Sequence, residues 1–244
     1  MANTTQDRPR LRLNTPKGLL KYPHLSEVDY GTQAFPNKEG SYNTRLILKA
    51  QAPTTQAFIE KLDAFMEQAK QWAEEQLEQL PVKTRKDIER GGGLKAQAPY
   101  SELYDDTTEE PLGEIEFRFK KKASGVGKDS KTWQSSPPPL FDASTPPKRI
   151  DKKLEIWSGS QAIINADYLP YLVASSGTYG LTARLNAVQI IELVNREGGQ
   201  NAQSYGFSGN DEGYCFAGEN EDTTSFDQSE SSRADDACDE DADF

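Results

Sequence analysis

Residues 113–122 read Gly113-Glu114-Ile115-Glu116-Phe117-Arg118-Phe119-Lys120-Lys121-Lys122. Ile115, Phe117 and Phe119 alternate with Glu116, Arg118 and Lys120, the period-two pattern of a strand with one face in a core and the other in water. The two phenylalanines are therefore expected inside, and Arg118 and Lys120 outside. Lys121 and Lys122 carry the charge on into a flexible stretch holding Lys128 and Lys131, so that residues 117–131 bear five net positive charges.

Moving outward from this strand, residues 42–50 alternate in the same way. Leu46 and Leu48 share one face, and Arg45, Ile47 and Lys49 the other. Between the two strands lies a helical pattern, expected to be capped by Thr54 or Thr55. Phe58, Leu62, Phe65, Ala69 and Trp72, then Ala73, Leu77 and Leu80, recur at spacings of three and four, and Pro81 closes the run. That stripe predicts a scaffold helix packed on a core rather than an aromatic cofactor box. Residues 82–96, with Lys83, Arg85, Lys86, Arg90, Gly91-Gly92-Gly93 and Lys95, read as a basic, glycine-rich loop.

C-terminal to the opening strand, residues 133–147 form a Ser/Pro connector anchored by Leu140-Phe141. Short strands are expected at 152–157, where Lys153, Glu155 and Trp157 oppose Leu154 and Ile156, and at 162–166. A longer one is expected at 181–193, with Tyr168, Tyr171 and Tyr179 in or beside the preceding loop. Residues 1–40, broken by Pro9, Pro16, Pro23 and Pro36, read as an irregular arm. Short strands, long loops and one obvious helix predict a mainly β chain, a small barrel or sandwich with loop insertions.

Charge divides the chain. Residues 210–244 hold 13 acidic side chains and one basic one, Arg233, whereas the other residues hold 26 and 27. The formal net charge of -11 thus belongs to the C-terminal segment, and the rest of the chain is nearly neutral with local basic clusters. Only 35% of the chain is hydrophobic, below the range of a fully folded domain. The polar sequence from Gly198 onward cannot bury enough apolar area to offset its ordering entropy, so it is expected to be disordered. The organisation expected is a folded domain over 1–200 and an acidic tail over 201–244. The tail closes on Asp239-Glu240-Asp241-Ala242-Asp243-Phe244, and its exposed terminal aromatic suits a docking peptide better than a purely solubilising tail.

Catalytic and metal chemistry find few residues to use. One histidine, His24, and two cysteines, Cys215 and Cys238, supply neither a triad nor a metal cage. The segment Lys122-Ala123-Ser124-Gly125-Val126-Gly127-Lys128-Asp129 lacks the first glycine and the Ser/Thr of a phosphate loop. No enzyme and no cofactor is expected. Nor is a membrane span, since no stretch approaches about 20 apolar residues. A secretory signal is not expected either, because Arg8, Arg10 and Arg12 precede no apolar run; the expected compartment is the cytoplasm.

The remaining pattern suits single-stranded nucleic acid. Phosphates call for dispersed cations, and unstacked bases offer faces to aromatic rings, at about 1–3 kcal/mol per base. The candidate cations are Arg45, Lys49, Arg118, Lys120, Lys121, Lys122, Lys153 and Arg184. The candidate rings are Trp157, Tyr168, Tyr171 and Tyr179, with Trp133 close in sequence to Lys128 and Lys131. An acidic DNA mimic that blocks an enzyme is the alternative, although a mimic spreads its acid over a folded surface.

Residues 113–193 resemble the single-stranded-DNA-binding proteins of tailed bacteriophages. The resemblance rests on Phe117-Arg118-Phe119-Lys120, Leu140-Phe141-Asp142-Ala143, Trp157-Ser158-Gly159-Ser160 and Leu185-Asn186-Ala187-Val188-Gln189, and independently on the acidic tail ending Asp243-Phe244. It implies an OB-fold barrel of five strands with a helix against it, binding single strands without sequence preference in DNA replication and recombination, in the host cytoplasm. It further implies a tail that contacts replication proteins (polymerase, helicase-primase) through Asp239, Glu240, Asp241, Asp243 and Phe244 and competes for the DNA groove. A homo-oligomer is compatible with it.

Overall fold

The computed structural model describes residues 8–127 and 129–194. In chain order the elements are β1 (Leu11–Asn14), β2 (Gly18–Gly31), β3 (Pro36–Lys49), α1 (Pro53–Gln79), α2 (Val82–Arg90), β4 (Lys95–Gln97), β5 (Tyr100–Tyr104), β6 (Pro111–Lys122), β7 (Ser124–Val126), β8 (Thr132–Gln134), β9 (Leu140–Phe141), β10 (Gln161–Val173) and β11 (Thr178–Glu192). The expected tail lies outside the described residues, as does Lys128.

Five long strands close on themselves. β2 pairs with β3, β3 with β6, β6 with β11, β11 with β10, and β10 returns to β2 through Gln161↔Leu19 and Ala162↔Gly18. All these pairings are antiparallel except β6–β11. Counting only the barrel strands, the order is 1-2-3-5-4 and back to 1, the five-stranded Greek-key arrangement of an OB fold. The mainly β barrel expected from the sequence is the fold observed.

The interior follows from the alternation. Leu46 and Leu48 of β3, and Ile115, Phe117 and Phe119 of β6, are buried as their period predicts. α1 lays Phe58, Leu62, Phe65 and Ala69 on the same core. Phe58 meets Phe117 edge to face at 5.4 Å and Tyr168 at 6.2 Å, so one aromatic cluster joins the helix to β6 and β10. α1 begins on Ala52 with Pro53 in its first turn and no side-chain cap. The expected threonine cap is therefore replaced by a proline whose fixed φ suits a first helical position, and Thr55 is buried inside the turn.

Four expectations need correction. The arm at 1–40 contains two whole strands, β1 and β2, and the start of β3. β2 escapes a period-two reading because Pro23 sits at a register shift between Lys21 and His24. The shift puts Leu20 and Leu25, five apart, on the same buried side, and proline in a strand is at home at such a bulge. β1 pairs along β10, where the carboxylate of Asp167, 5% exposed, takes Arg10 at 2.6 Å and Arg12 at 2.7 Å. The basic loop at 82–96 begins as helix α2, anchored by the buried Ile88 and released at Gly91–Gly93. Residues 152–157 alternate as read but form no ladder: Leu154 and Ile156 pack partly on the core. The flexible stretch after Lys122 is a hairpin, β7–β8, with the Trp133 ring so close over Gly125 that a Cβ there would lie 2.7 Å from it.

Tyr168 and Tyr171 stand in β10 and Tyr179 in β11, because these strands run further toward each other than expected. Tyr168 is fully buried, and its hydroxyl has no hydrogen-bond partner among the described residues. Burial alone pushes its pKa well above the usual tyrosine value. An orphaned buried hydroxyl is a cost of about 1–3 kcal/mol. Tyr168→Phe is therefore expected to stabilise the barrel by about 1 kcal/mol, read as a higher urea midpoint at unchanged slope. A lower midpoint would mean that the hydroxyl is satisfied.

Candidate nucleic-acid interface

Antiparallel register places Arg45 of β3 directly opposite Arg118 of β6, both on the outer face. Like charges facing one another across strands repel. Glu116, only 3% exposed, stands between them. Its carboxylate accepts Arg45 Nη1 at 3.2 and 3.3 Å and Arg118 Nε at 3.1 Å. The trio keeps one net positive charge and two arginines in fixed places.

Farther along the same face, Lys120 lies opposite Asn43 on one side and Arg184 on the other. Neither Lys120 nor Arg184 has an ion-pair partner among the described residues, so both charges are open to a ligand. Lys122 follows on the same parity and pairs with Glu39 at 2.7 Å. Lys49 ends β3 opposite Glu114. Lys121 departs from expectation. It has the inward parity of Phe117 and Phe119, and its ammonium donates to the Ser136 carbonyl at 2.8 Å. Burial, then the charge of Arg184, lowers its pKa.

The bulge in β2 aims a ring at this face. Tyr22 has φ +50°, a left-handed conformation that a bulky residue rarely adopts. Its N–H donates to Ser158 Oγ at 2.9 Å instead of to the ladder. The ring is 57% exposed and has cations on it from two strands, Lys21 Nζ at 5.5 Å and Arg45 Cζ at 5.4 Å from its centroid. Bulges commonly re-aim a side chain at a functional site.

Tyr22 and Trp157, 45% exposed, line one open cavity of about 550 Å³ between β2 and residues 153–158. Ser26 Oγ donates to the Leu154 carbonyl at 2.6 Å, and Lys153 Nζ meets Glu27 Oε1 at 2.5 Å. That hydrogen bond, and then the attraction between the charges, holds Lys153 above and Glu27 below their usual pKa values. Lys153 thus begins neutralised, although both partners are exposed and a surface pair of this kind is worth little.

At the far end, the β2–β3 hairpin shows Tyr30, 62% exposed, and Phe35, 83% exposed. Asp29 braces it by accepting the Gly31 N–H at 2.7 Å and Asn43 Nδ2 at 2.8 Å, bonds that lower its pKa. In OB folds, this loop and the face of the second and third barrel strands are where oligonucleotides bind.

Of the rings proposed from sequence, Trp157 is on this face. Tyr171 stands on the other flank of β6, its hydroxyl on Gln97 Oε1 at 2.7 Å. Tyr179 is 8% exposed and Tyr168 is in the core. Neither of these two can offer a ring face to a base, which corrects the expectation for both. Tyr22, Tyr30 and Phe35 escape a sequence reading because the prolines of the arm give it an irregular pattern; the dipeptide Lys21-Tyr22 is the available signal. Asp239, Glu240, Asp241, Asp243 and Phe244 lie outside the described residues.

The sequence model of one protein family, described as "Single-stranded DNA-binding protein, Bacteriophage T7", matches residues 18–193. Among solved structures, the chain is similar to gp2.5, a single-stranded DNA binding protein encoded by bacteriophage T7. The identity is 20%, the TM-score 0.57, and the match covers 85% of this chain and 99% of that one. The single-stranded DNA-binding protein from bacteriophage Enc34 also matches, at 14% identity and TM-score 0.48 in a C-terminal truncation, over 75% of this chain and 87% of that one. No curated protein matches the chain.

Proposed function

We propose, since this chain belongs to the single-stranded DNA-binding protein family of bacteriophage T7, that it binds single-stranded DNA across the outer face of β2, β3 and β6, without sequence preference and without catalysis. The observation that carries the reading is Tyr22, strained and bulged outward between Lys21 and Arg45 above a cavity it shares with Trp157. Rings accept any base by its face, and the phosphates are met by Arg45, Arg118, Lys120, Lys122, Arg184 and, once freed from Glu27, Lys153. Such a site tolerates every sequence. Lys49 and Tyr171 flank this path. The work this serves is phage DNA replication and recombination in the host cytoplasm.

We assign the acidic segment 201–244 a second role. Its charge and tethering give it a high local concentration at a basic face, so it competes with DNA until displaced. Displacement frees Asp239, Glu240, Asp241, Asp243 and Phe244 for replication proteins such as polymerase and helicase-primase. A DNA mimic is disfavoured because the acid concentrates at residues 210–244.

Titration of the full chain with oligothymidylate and with duplex DNA across a salt series tests both parts. Binding of the single strand with an affinity that falls linearly in log salt is expected. A chain that retains no oligothymidylate at low salt sinks the reading. Removal of residues 210–244 is expected to tighten binding about tenfold at low salt and much less above physiological salt, where screening is within about 8 Å. Unchanged affinity removes the competition but leaves DNA binding standing.

A further inference from the structure

On the flank of β6 away from Tyr22, a polar cavity of about 220 Å³ is lined by Ser101, Glu116, Arg118, Tyr171 and Thr182. The hydroxyls of Ser101 and Thr182 and a guanidinium are the donor set of an oxyanion, with the Tyr171 hydroxyl already committed to Gln97 Oε1, and Glu116 is the anomaly, a buried carboxylate where an anion is expected. Its bonding pattern accounts for its presence. Glu116 engages Arg118 only through Nε and Arg45 only through Nη1. Among the described residues, both Nη groups of Arg118 keep their donors unused. A guanidinium gripped at Nε presents its Nη edge as a fixed fork, and a fork of this kind matches phosphate oxygens.

We propose that this cavity seats one phosphodiester group of the bound strand, held by Arg118 with the hydroxyls of Ser101 and Thr182, and that Glu116 is the positioning residue that aims Arg118 into it. The proposal rests on the DNA-binding reading above. It extends that site around β6 to pair two functions: Glu116 steers Arg45 toward the Tyr22 ring on one side and Arg118 toward a phosphate on the other. A free arginine on an exposed strand samples many rotamers, and fixing it beforehand lowers the entropy lost on binding.

Charge counting and positioning predict opposite signs, which makes the test sharp. Glu116→Gln adds one net positive charge to the face, so by charge alone it tightens DNA binding and steepens the salt dependence. By positioning, the affinity for oligothymidylate falls about fivefold, and the log–log salt slope becomes shallower by about 0.7, one phosphate contact on a single strand. Arg118→Lys keeps the charge but not the fork. It is expected to weaken binding by a similar factor in the native chain and to add nothing in the Glu116→Gln background. Tighter or unchanged binding of Glu116→Gln overturns the proposal. Should that variant not fold, Arg118→Lys alone decides, because its side chain is 69% exposed and leaves the core intact; undiminished binding then overturns it. Binding of oligothymidylate by the unaltered chain is the control that separates this failure from failure of the DNA-binding reading itself.

Discussion

Replacing Tyr22 and Trp157 together by alanine is expected to weaken binding of oligothymidylate about a hundredfold at fixed salt, while the salt slope stays as it was. Stacking contributes about 1–3 kcal/mol per base. Two rings at the middle to low part of that range give about 3 kcal/mol, and each 1.4 kcal/mol is a factor of about ten. Neither ring carries charge, so the number of displaced counterions is unchanged. This separates the ring pair from the cations: a variant at Lys120 or Arg184 should flatten the slope, and the ring pair should not. Both rings are about half exposed, at 57% and 45%, so the loss is not one of folding. Trp133, packed over Gly125 on the β7–β8 hairpin, serves as the comparison, with Trp133→Ala expected to stay within about twofold. A loss below threefold for the double variant, measured by fluorescence anisotropy of a labelled strand, removes the cavity from the binding path.

How far the sequence could be read depends on where each strand keeps a single phase. β6 from Ile115 to Lys120 and the C-terminal half of β3 keep one parity, so inside and outside are legible for the apolar residues and for Arg45, Arg118 and Lys120 on the outer face, whereas the burial of Glu116 and the inward parity of Lys121 are not. α1 was legible for the same reason, its stripe being the face it buries. β2 was not. A bulge at Pro23 inverts its phase halfway, and an inverted phase cancels in any period-two count. The same irregularity that hides the strand points Tyr22 outward, so the missed element and the missed candidate ring have one physical cause. Tyr168 failed for a different reason. It belongs to a strand whose ends reach past the polar residues that looked like a loop, and Pro170 inside β10 made that reading plausible. Residues 152–157 show a third case: alternation is present, but among the described residues no strand pairs along it, and its backbone bonds the backbone of another segment only at Val194, through the Trp157 N–H. Pattern gives the face of a side chain, and pairing depends on what else the fold brings alongside.

Phe117→Ala is expected to lower the free energy of unfolding by about 4 kcal/mol, within the range of about 3–5 for a buried phenylalanine. Phe117 has no exposed surface, and it touches Phe58 edge to face at 5.4 Å and Tyr100 at 5.5 Å. Its removal therefore opens a cavity where the helix, β5 and β6 meet, and the loss includes both aromatic pairs as well as the transfer term. Folded domains have about 5–15 kcal/mol to lose, so the variant is expected to remain folded near 25 °C with a much lower urea midpoint. Phe117 sits between Glu116 and Arg118 in sequence but faces the opposite way, inward where they face out. Per folded molecule, DNA affinity should then change less than threefold. The ring variant at Tyr22 and Trp157 predicts the reverse, full stability with lost affinity. Observing both outcomes would place the two faces of the same barrel wall in separate roles. A Phe117→Ala protein that keeps its midpoint within about 1.5 kcal/mol of the native chain would mean that the helix and the barrel are not held together by this aromatic cluster.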